Sequence, residues 1–124
     1  MFCFNVKKIS IFFLSFFFLT EVYANNETIN ALKDGSKVVF IRHSLAPGNG
    51  DPDNFILNDC STQRNLSEKG IQQSKKIGNF FTKNEIEIDA VLSSEWCRCK
   101  DTAFHAFENF ITFNALNSFY DPKF

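Results

Sequence analysis

"VVFIRHSLAPG", residues 38–48, runs four apolar residues straight into Arg42 and His43 and then into a Pro-Gly pair. The run Val38 to Ile41 is β-branched and aromatic, and Gly35 and Pro47 bound it. A short continuous apolar run of this kind predicts a strand buried on both faces, as in parallel sheets covered by helices. Arg42 and His43 then fall at its carboxyl end, which is where sheets of that class present their ligands.

Outward from this stretch the pattern alternates. Residues 46–65 hold two of the five glycines and two of the three prolines, and predict a long loop of the kind that often carries function. Ser67 is placed to cap a helix, because its hydroxyl can accept a bond from a first-turn N–H. Leu66 and Ile71 stand at the spacing of a hydrophobic staple. Ile71, Ile77, Gly78 and Phe81 continue one face, with Lys69, Lys75 and Lys76 largely off it. Ile88 to Leu92 predicts a second strand, broken only by Asp89, and Ser93 and Ser94 end it in position to cap the next helix. In that helix Trp96, Cys99, Ala103, Ala106, Phe107 and Phe110 recur mainly at steps of three and four, as one buried stripe requires. Arg98 falls off that stripe, in the first turn. A helical turn is expected at Ile29 to Leu32 and a last strand near Ala115 to Phe119. The expected fold class is α/β, a mostly parallel sheet flanked by helices.

The ends and the cysteines set the compartment. Lys7 and Lys8 precede an apolar run from Ile9 to Leu19, and Val22-Tyr23-Ala24 suits a cut after Ala24. That is the layout of a secretory signal peptide. The rival reading is an uncleaved anchor, but eleven helical residues span only about 16 Å of a hydrocarbon core of roughly 30 Å. We therefore expect residues 1–24 to be a signal peptide, 25–36 a lead segment, and the protein to be periplasmic or secreted with no stable membrane anchor. The remaining 100 residues carry eleven Lys and Arg against thirteen Asp and Glu, without a basic block, which argues against nucleic acid as a partner. Cys60, Cys97 and Cys99 remain, an odd number that fits one disulfide and one thiol in an oxidising compartment. Cys97-Arg98-Cys99 is not a C-x-x-C pair, and His43 and His105 are the only histidines, so structural cysteines are favoured over a metal site. Cys99 lies on the stripe and is expected to be buried against the sheet. Cys97 lies off it, easier for a loop to reach, so the expected bridge is Cys60–Cys97.

If the two strands are parallel neighbours, Arg42, His43, Ser93, Ser94 and Arg98 face one crevice. Arginine offers a fixed fork of donors that matches phosphate oxygens, and N–H groups at a helix start after Ser94 would add positive charge. Neighbouring guanidinium groups disfavour the imidazolium, so they would keep His43 neutral and nucleophilic. The bland readings stand beside this one. An Arg-His pair can be mere loop entry, Arg98 can pair with Glu95 or Asp101 on its own helix, Arg64 can be a solvated loop residue, and His105 a helix-surface residue.

"FIRHS" resembles the arginine-histidine signature of the histidine phosphatase superfamily, which includes the phosphoglycerate mutases. "NLSEKGIQQSKKIG" is similar to that family's leucine-threonine/serine, glycine, glutamine helix, and "VLSSEWCRCKDTA" to its serine-serine, arginine, threonine-alanine signature. The three occur in order over Lys37 to Phe110. The resemblance implies a phosphoglycerate mutase-like fold and phosphomonoester hydrolysis through a phosphohistidine. His43 would be the nucleophile, Arg42 and Arg98 phosphate-pocket arginines, and Arg64 and Ser94 further substrate contacts, with no cofactor or metal. The partner would be a phosphorylated small molecule or a phosphoprotein. Ser44 departs from the glycine common in the family. The late pocket histidine and its acidic donor have no match before Phe124, and Glu95, Asp51 and Asp53 are acids without an assigned role. Residues 37–124 are therefore expected to be either the amino-terminal part of such a domain, incomplete at the carboxyl end, or a degenerate member, and full activity is not expected of them alone. A phosphate-binding module without turnover, or an exported structural protein, are the alternatives.

Overall fold

The computed structural model describes residues 26–117. The expected signal peptide, residues 1–24, lies outside them, as do Ser118 and Phe119 of the expected last strand. Three helices are present among the described residues: α1, Asn26–Lys33; α2, Glu68–Lys83; and α3, Cys97–Phe107. Two short strands, β1 (Leu92–Ser93) and β2 (Ile111–Thr112), pair in parallel with Leu92 opposite Ile111 and Ser93 opposite Thr112. Parallel strands need a crossover connection, and α3 supplies it, so β1–α3–β2 is a βαβ unit. The described fold is thus a small α/β arrangement, with the helices carrying most of the structure.

Helix α2 starts where the sequence places it. Ser67 Oγ accepts the N–H of Gly70 at 3.2 Å, with Glu68 in the first turn and Lys83 in the last, both favourable to the helix dipole. Its buried residues are Gly70, Ser74 and Gly78, four apart, while Ile71, Ile77 and Phe81 are only half-buried. This small-residue face permits backbone approach on two sides. A Cβ at Gly70 would collide with the backbone carbonyl of Leu45, and one at Gly78 with that of Ala106 in α3. Phe81 closes the seam edge-on against Phe107, ring centroids 5.3 Å apart.

Several expectations are corrected. Val38 to Ile41 forms no strand and is exposed, Val38 at 81% and Phe40 at 85%. A strand is defined by ladder hydrogen bonds, and no described segment pairs with this one, so apolar composition alone does not make it one. Only Leu92 of the predicted Ile88–Leu92 strand pairs, together with Ser93. The later strand falls at Ile111–Thr112, and Asn114–Leu116 is a 3₁₀ turn. The expected turn at Ile29–Leu32 extends into the eight-residue α1. The long loop is tied internally by a 3₁₀ turn at Cys60–Thr62 and a bridge between Ile56 and Asp59.

In α3 the N-cap is Trp96, not Ser93 or Ser94, and it caps through no side-chain bond. The buried positions are Cys97, Arg98, Thr102 and Ala103, with Trp96 just before them, so Arg98 lies inside rather than off the buried face. The predicted stripe assumed a single sheet beneath the helix. In fact α3 is gripped by α2 on one side and by the 46–65 loop on another. The disulfide is Cys60–Cys97, with the cysteines 37 residues apart in sequence, and Cys99 is free. The expected pairing is correct, but the supporting premise is reversed: Cys97 is fully buried and Cys99 half-buried. The loop arrives and covers Cys97.

Candidate functional site

His43 sits in a segment without regular structure, yet it is firmly seated. Ser44, next to it, is fully buried and donates its backbone N–H to Thr102 Oγ1 of α3 at 2.9 Å. Ser44 Oγ accepts from Ser74 Oγ of α2 at 2.8 Å. Leu45 N–H donates to Gln73 Oε1, and Leu45 O accepts from Ser67 N–H, both at 3.0 Å. The strand-end placement expected from sequence is thus replaced by seating on two helices. Ser44 uses its hydroxyl in that seating.

The imidazole Nδ1 lies 2.7 Å from Ser44 O. A carbonyl can only accept, so Nδ1 carries the proton and Nε2 keeps its lone pair. The His43 pKa is lowered from its ordinary value chiefly by burial. The bond to Ser44 O opposes this, and the charges of Arg98, Arg42 and Arg64, in decreasing order, reinforce it. The three arginines therefore lie within electrostatic reach of His43; the sequence reading placed Arg42 and Arg98 there, and Arg64 only through the family resemblance.

Arg98 pairs with neither Glu95 nor Asp101. Its Nη1 donates to both oxygens of Asp51, at 3.0 and 2.9 Å, in a pair whose side chains are 9% and 8% exposed. Its guanidinium carbon lies 4.6 Å from the centre of the Trp96 ring. Arg64 is not a solvated loop residue. Its Nη1 donates to Ala46 O at 2.6 Å and Gly48 O at 3.0 Å, and its backbone N–H to Asp51 Oδ1 at 2.8 Å. Both arginines are thus anchored through Nη1. In both, Nε is buried with no hydrogen-bond partner among the described residues. In a guanidinium, Nη1 lies on the Cδ side, while Nε–H and Nη2–H form the opposite edge, the fork that fits two oxygens of one anion. Arg42 is exposed, and no described residue anchors its guanidinium.

Ser94 is buried, and its hydroxyl has no hydrogen-bond partner among the described residues, so no hydrogen bond joins that hydroxyl to His43 or the arginines. The expected helix-start donors are partly consumed: Cys97 N–H is taken by Gln63 Oε1 at 3.0 Å. Gln63 also donates to Ile56 O and Leu57 O, so it stitches the loop to the start of α3 next to the disulfide. His105 lies seven residues beyond Arg98, roughly 10 Å along the axis, half-buried with its ring edge-on to Phe104. No three His, Cys, Asp or Glu side chains gather to hold a metal among the described residues.

Asp51 and Gln63 are the participants that sequence reasoning missed, Asp51 having stood only as an acid without a role, while Thr102 was quoted as the threonine of the third motif but given no part in seating His43. No known family model matches the chain, and no curated protein or solved structure matches it either.

Proposed function

We propose that the chain binds a phosphomonoester and transfers its phosphoryl group to His43, in the manner of the histidine phosphatases its motifs resemble. The observation that carries this reading is the pair of anchored arginines, Arg98 and Arg64, each with an unpartnered, buried Nε–H, beside a histidine held neutral with Nε2 available. In this reading Arg98, Arg64 and Arg42 hold the non-bridging oxygens. Nε2 attacks phosphorus in line with the ester oxygen, the phosphorus–oxygen bond breaks, and the alcohol leaves after taking a proton. Charge on the equatorial oxygens rises in the transition state, and fixed guanidinium groups stabilise it without reorganising. Water then attacks the phosphohistidine and releases phosphate. The phosphoglycerate mutase-like fold, export after cleavage at Ala24, and a substrate that is a phosphorylated small molecule or phosphoprotein belong to the same proposal.

The test is labelling with a small phosphomonoester, quenched in alkali and mapped by mass spectrometry. A label on His43 that is lost in His43→Ala supports it, and an undiminished label in that variant, or a label on His105, defeats it. One observation favours a second reading, a phosphate-binding module without turnover: His43 is hydrogen-bonded to Ser44 O, and no carboxyl group among the described residues hydrogen-bonds it to serve as the leaving group's proton donor. Phosphate binding with no label at any time point would select that reading.

A further inference from the structure

We propose that Asp51 is the positioning residue of the anion site, orienting the Arg98 guanidinium directly and fixing the Arg64 backbone beside it, so that the Arg98 fork presents to a tetrahedral oxyanion. The inference rests on the phosphate reading above and adds the device that gives the site its geometry.

Asp51 Oδ1 is shared, accepting the backbone N–H of Arg64 at 2.8 Å and Nη1 of Arg98 at 3.0 Å. Oδ2 accepts the same Nη1 at 2.9 Å. Both carboxylate oxygens thus converge on one nitrogen of Arg98, and that nitrogen is the one outside the Nε–Nη2 edge. A carboxylate competing with phosphate for the guanidinium would be expected to take the fork itself, with one oxygen on each of two nitrogens, which is the stronger arrangement. Asp51 instead leaves the fork edge unpaired: Arg98 Nε is buried without a partner among the described residues. The ion pair is nearly fully enclosed, with side chains 9% and 8% exposed, so the contact is not a loose surface pairing. Trp96 under the guanidinium restricts its tilt from the face. The loop that carries Asp51 is itself fixed: Cys60 is bonded to Cys97 and Gln63 to the Cys97 N–H, one residue before Arg98. The carboxylate and the guanidinium it orients are therefore held by the same staple.

The chemistry this selects is geometric. Two fixed forks suit the three-dimensional spread of oxygens on phosphate, whereas unfixed guanidinium groups attract any anion by charge alone. Removing the Asp51 charge leaves the cluster more positive, so simple electrostatics predicts tighter anion binding in Asp51→Ala. Positioning predicts the opposite for phosphate.

The experiment titrates the full, disulfide-bonded chain with inorganic phosphate and with planar nitrate by calorimetry, for wild type, Asp51→Ala and Asp51→Asn. We expect Asp51→Ala to weaken phosphate about tenfold or more, the scale of one charged hydrogen bond, with nitrate unchanged or tighter. Asp51→Asn, which keeps an acceptor for both N–H groups, should retain more of the phosphate affinity. The Arg98 Nε–Hε resonance, sharp in the wild type, should broaden or shift in Asp51→Ala. Equal or tighter phosphate binding in Asp51→Ala overturns the proposal, as does a parallel loss of both anions, which would mean only a loosened loop. If the wild type binds no phosphate, the phosphate reading itself fails. The resonance then judges Asp51 alone, and an unchanged line in Asp51→Ala overturns its positioning role.

Discussion

Removing the Cys60–Cys97 bridge should unfold much of this protein's margin of stability. The perturbation of choice is Cys60→Ser: Cys60 is exposed, so serine costs little there, whereas Cys97 is fully buried and a serine would add a desolvation cost of its own. The bridge spans 37 residues of sequence. Loop-closure entropy for a ring of that size corresponds to about 4 kcal/mol at room temperature. Small domains have only about 5–15 kcal/mol in total, so the loss would remove between about a quarter and four fifths of it. Trp96 is the sole tryptophan, 5% exposed and adjacent to Cys97, so its fluorescence reports the transition directly. Urea titrations of wild type, Cys60→Ser and Cys99→Ser should show a large loss for the first variant and under about 1 kcal/mol for the second, since Cys99 is an unbridged, half-buried thiol. Phosphate affinity should fall with the first variant as well, because the same loop carries Asp51 and Arg64. A Cys60→Ser loss below about 1 kcal/mol, or an equal loss in Cys99→Ser, would refute the entropic reasoning and the pairing respectively.

Three further outcomes are expected. The His43 pKa is lowered in the folded chain, so the unfolded chain binds the proton first as pH falls. The stability this confers is complete above 6.5, the ordinary value, and is lost as pH falls from there through the lowered folded value. An imidazole titration by NMR with its midpoint below 6.5, absent in His43→Ala, checks it. Gly78→Ala should destabilise despite a helix-propensity gain of about 1 kcal/mol, because the new Cβ meets the Ala106 backbone, which cannot yield as a side chain would. Overpacking of about 1–3 kcal/mol wins, and a thermal melt should fall by several degrees. Ser94→Ala should cost almost no stability, since its hydroxyl has no partner to lose among the described residues. A drop in phosphate affinity in that variant would place Ser94 at the ligand, and unchanged affinity would remove it from the site.

Local chemistry in the sequence was enough to place what depends on neighbours along the chain. Ser67 caps α2 because a hydroxyl one residue before a helix finds its first-turn N–H groups whatever lies beyond. The helical spacing from Trp96 onward located α3, and the placement of Arg42 and Arg98 about His43 anticipated a positive field at that imidazole. Pairing decided the rest. Val38 to Ile41 carries the composition of a strand, but a strand exists only with a partner, and here the segment stays exposed while Ser44 docks on Ser74 and Thr102. Helical periodicity counts only one apolar face, so it leaves Arg98 off the buried stripe. The loop that returns over α3 creates a second buried face, and a guanidinium can occupy it because Asp51, 47 residues earlier, neutralises the charge. No local pattern encodes a contact of that separation, so Asp51 as the partner of Arg98 became visible only when the folded loop brought it there.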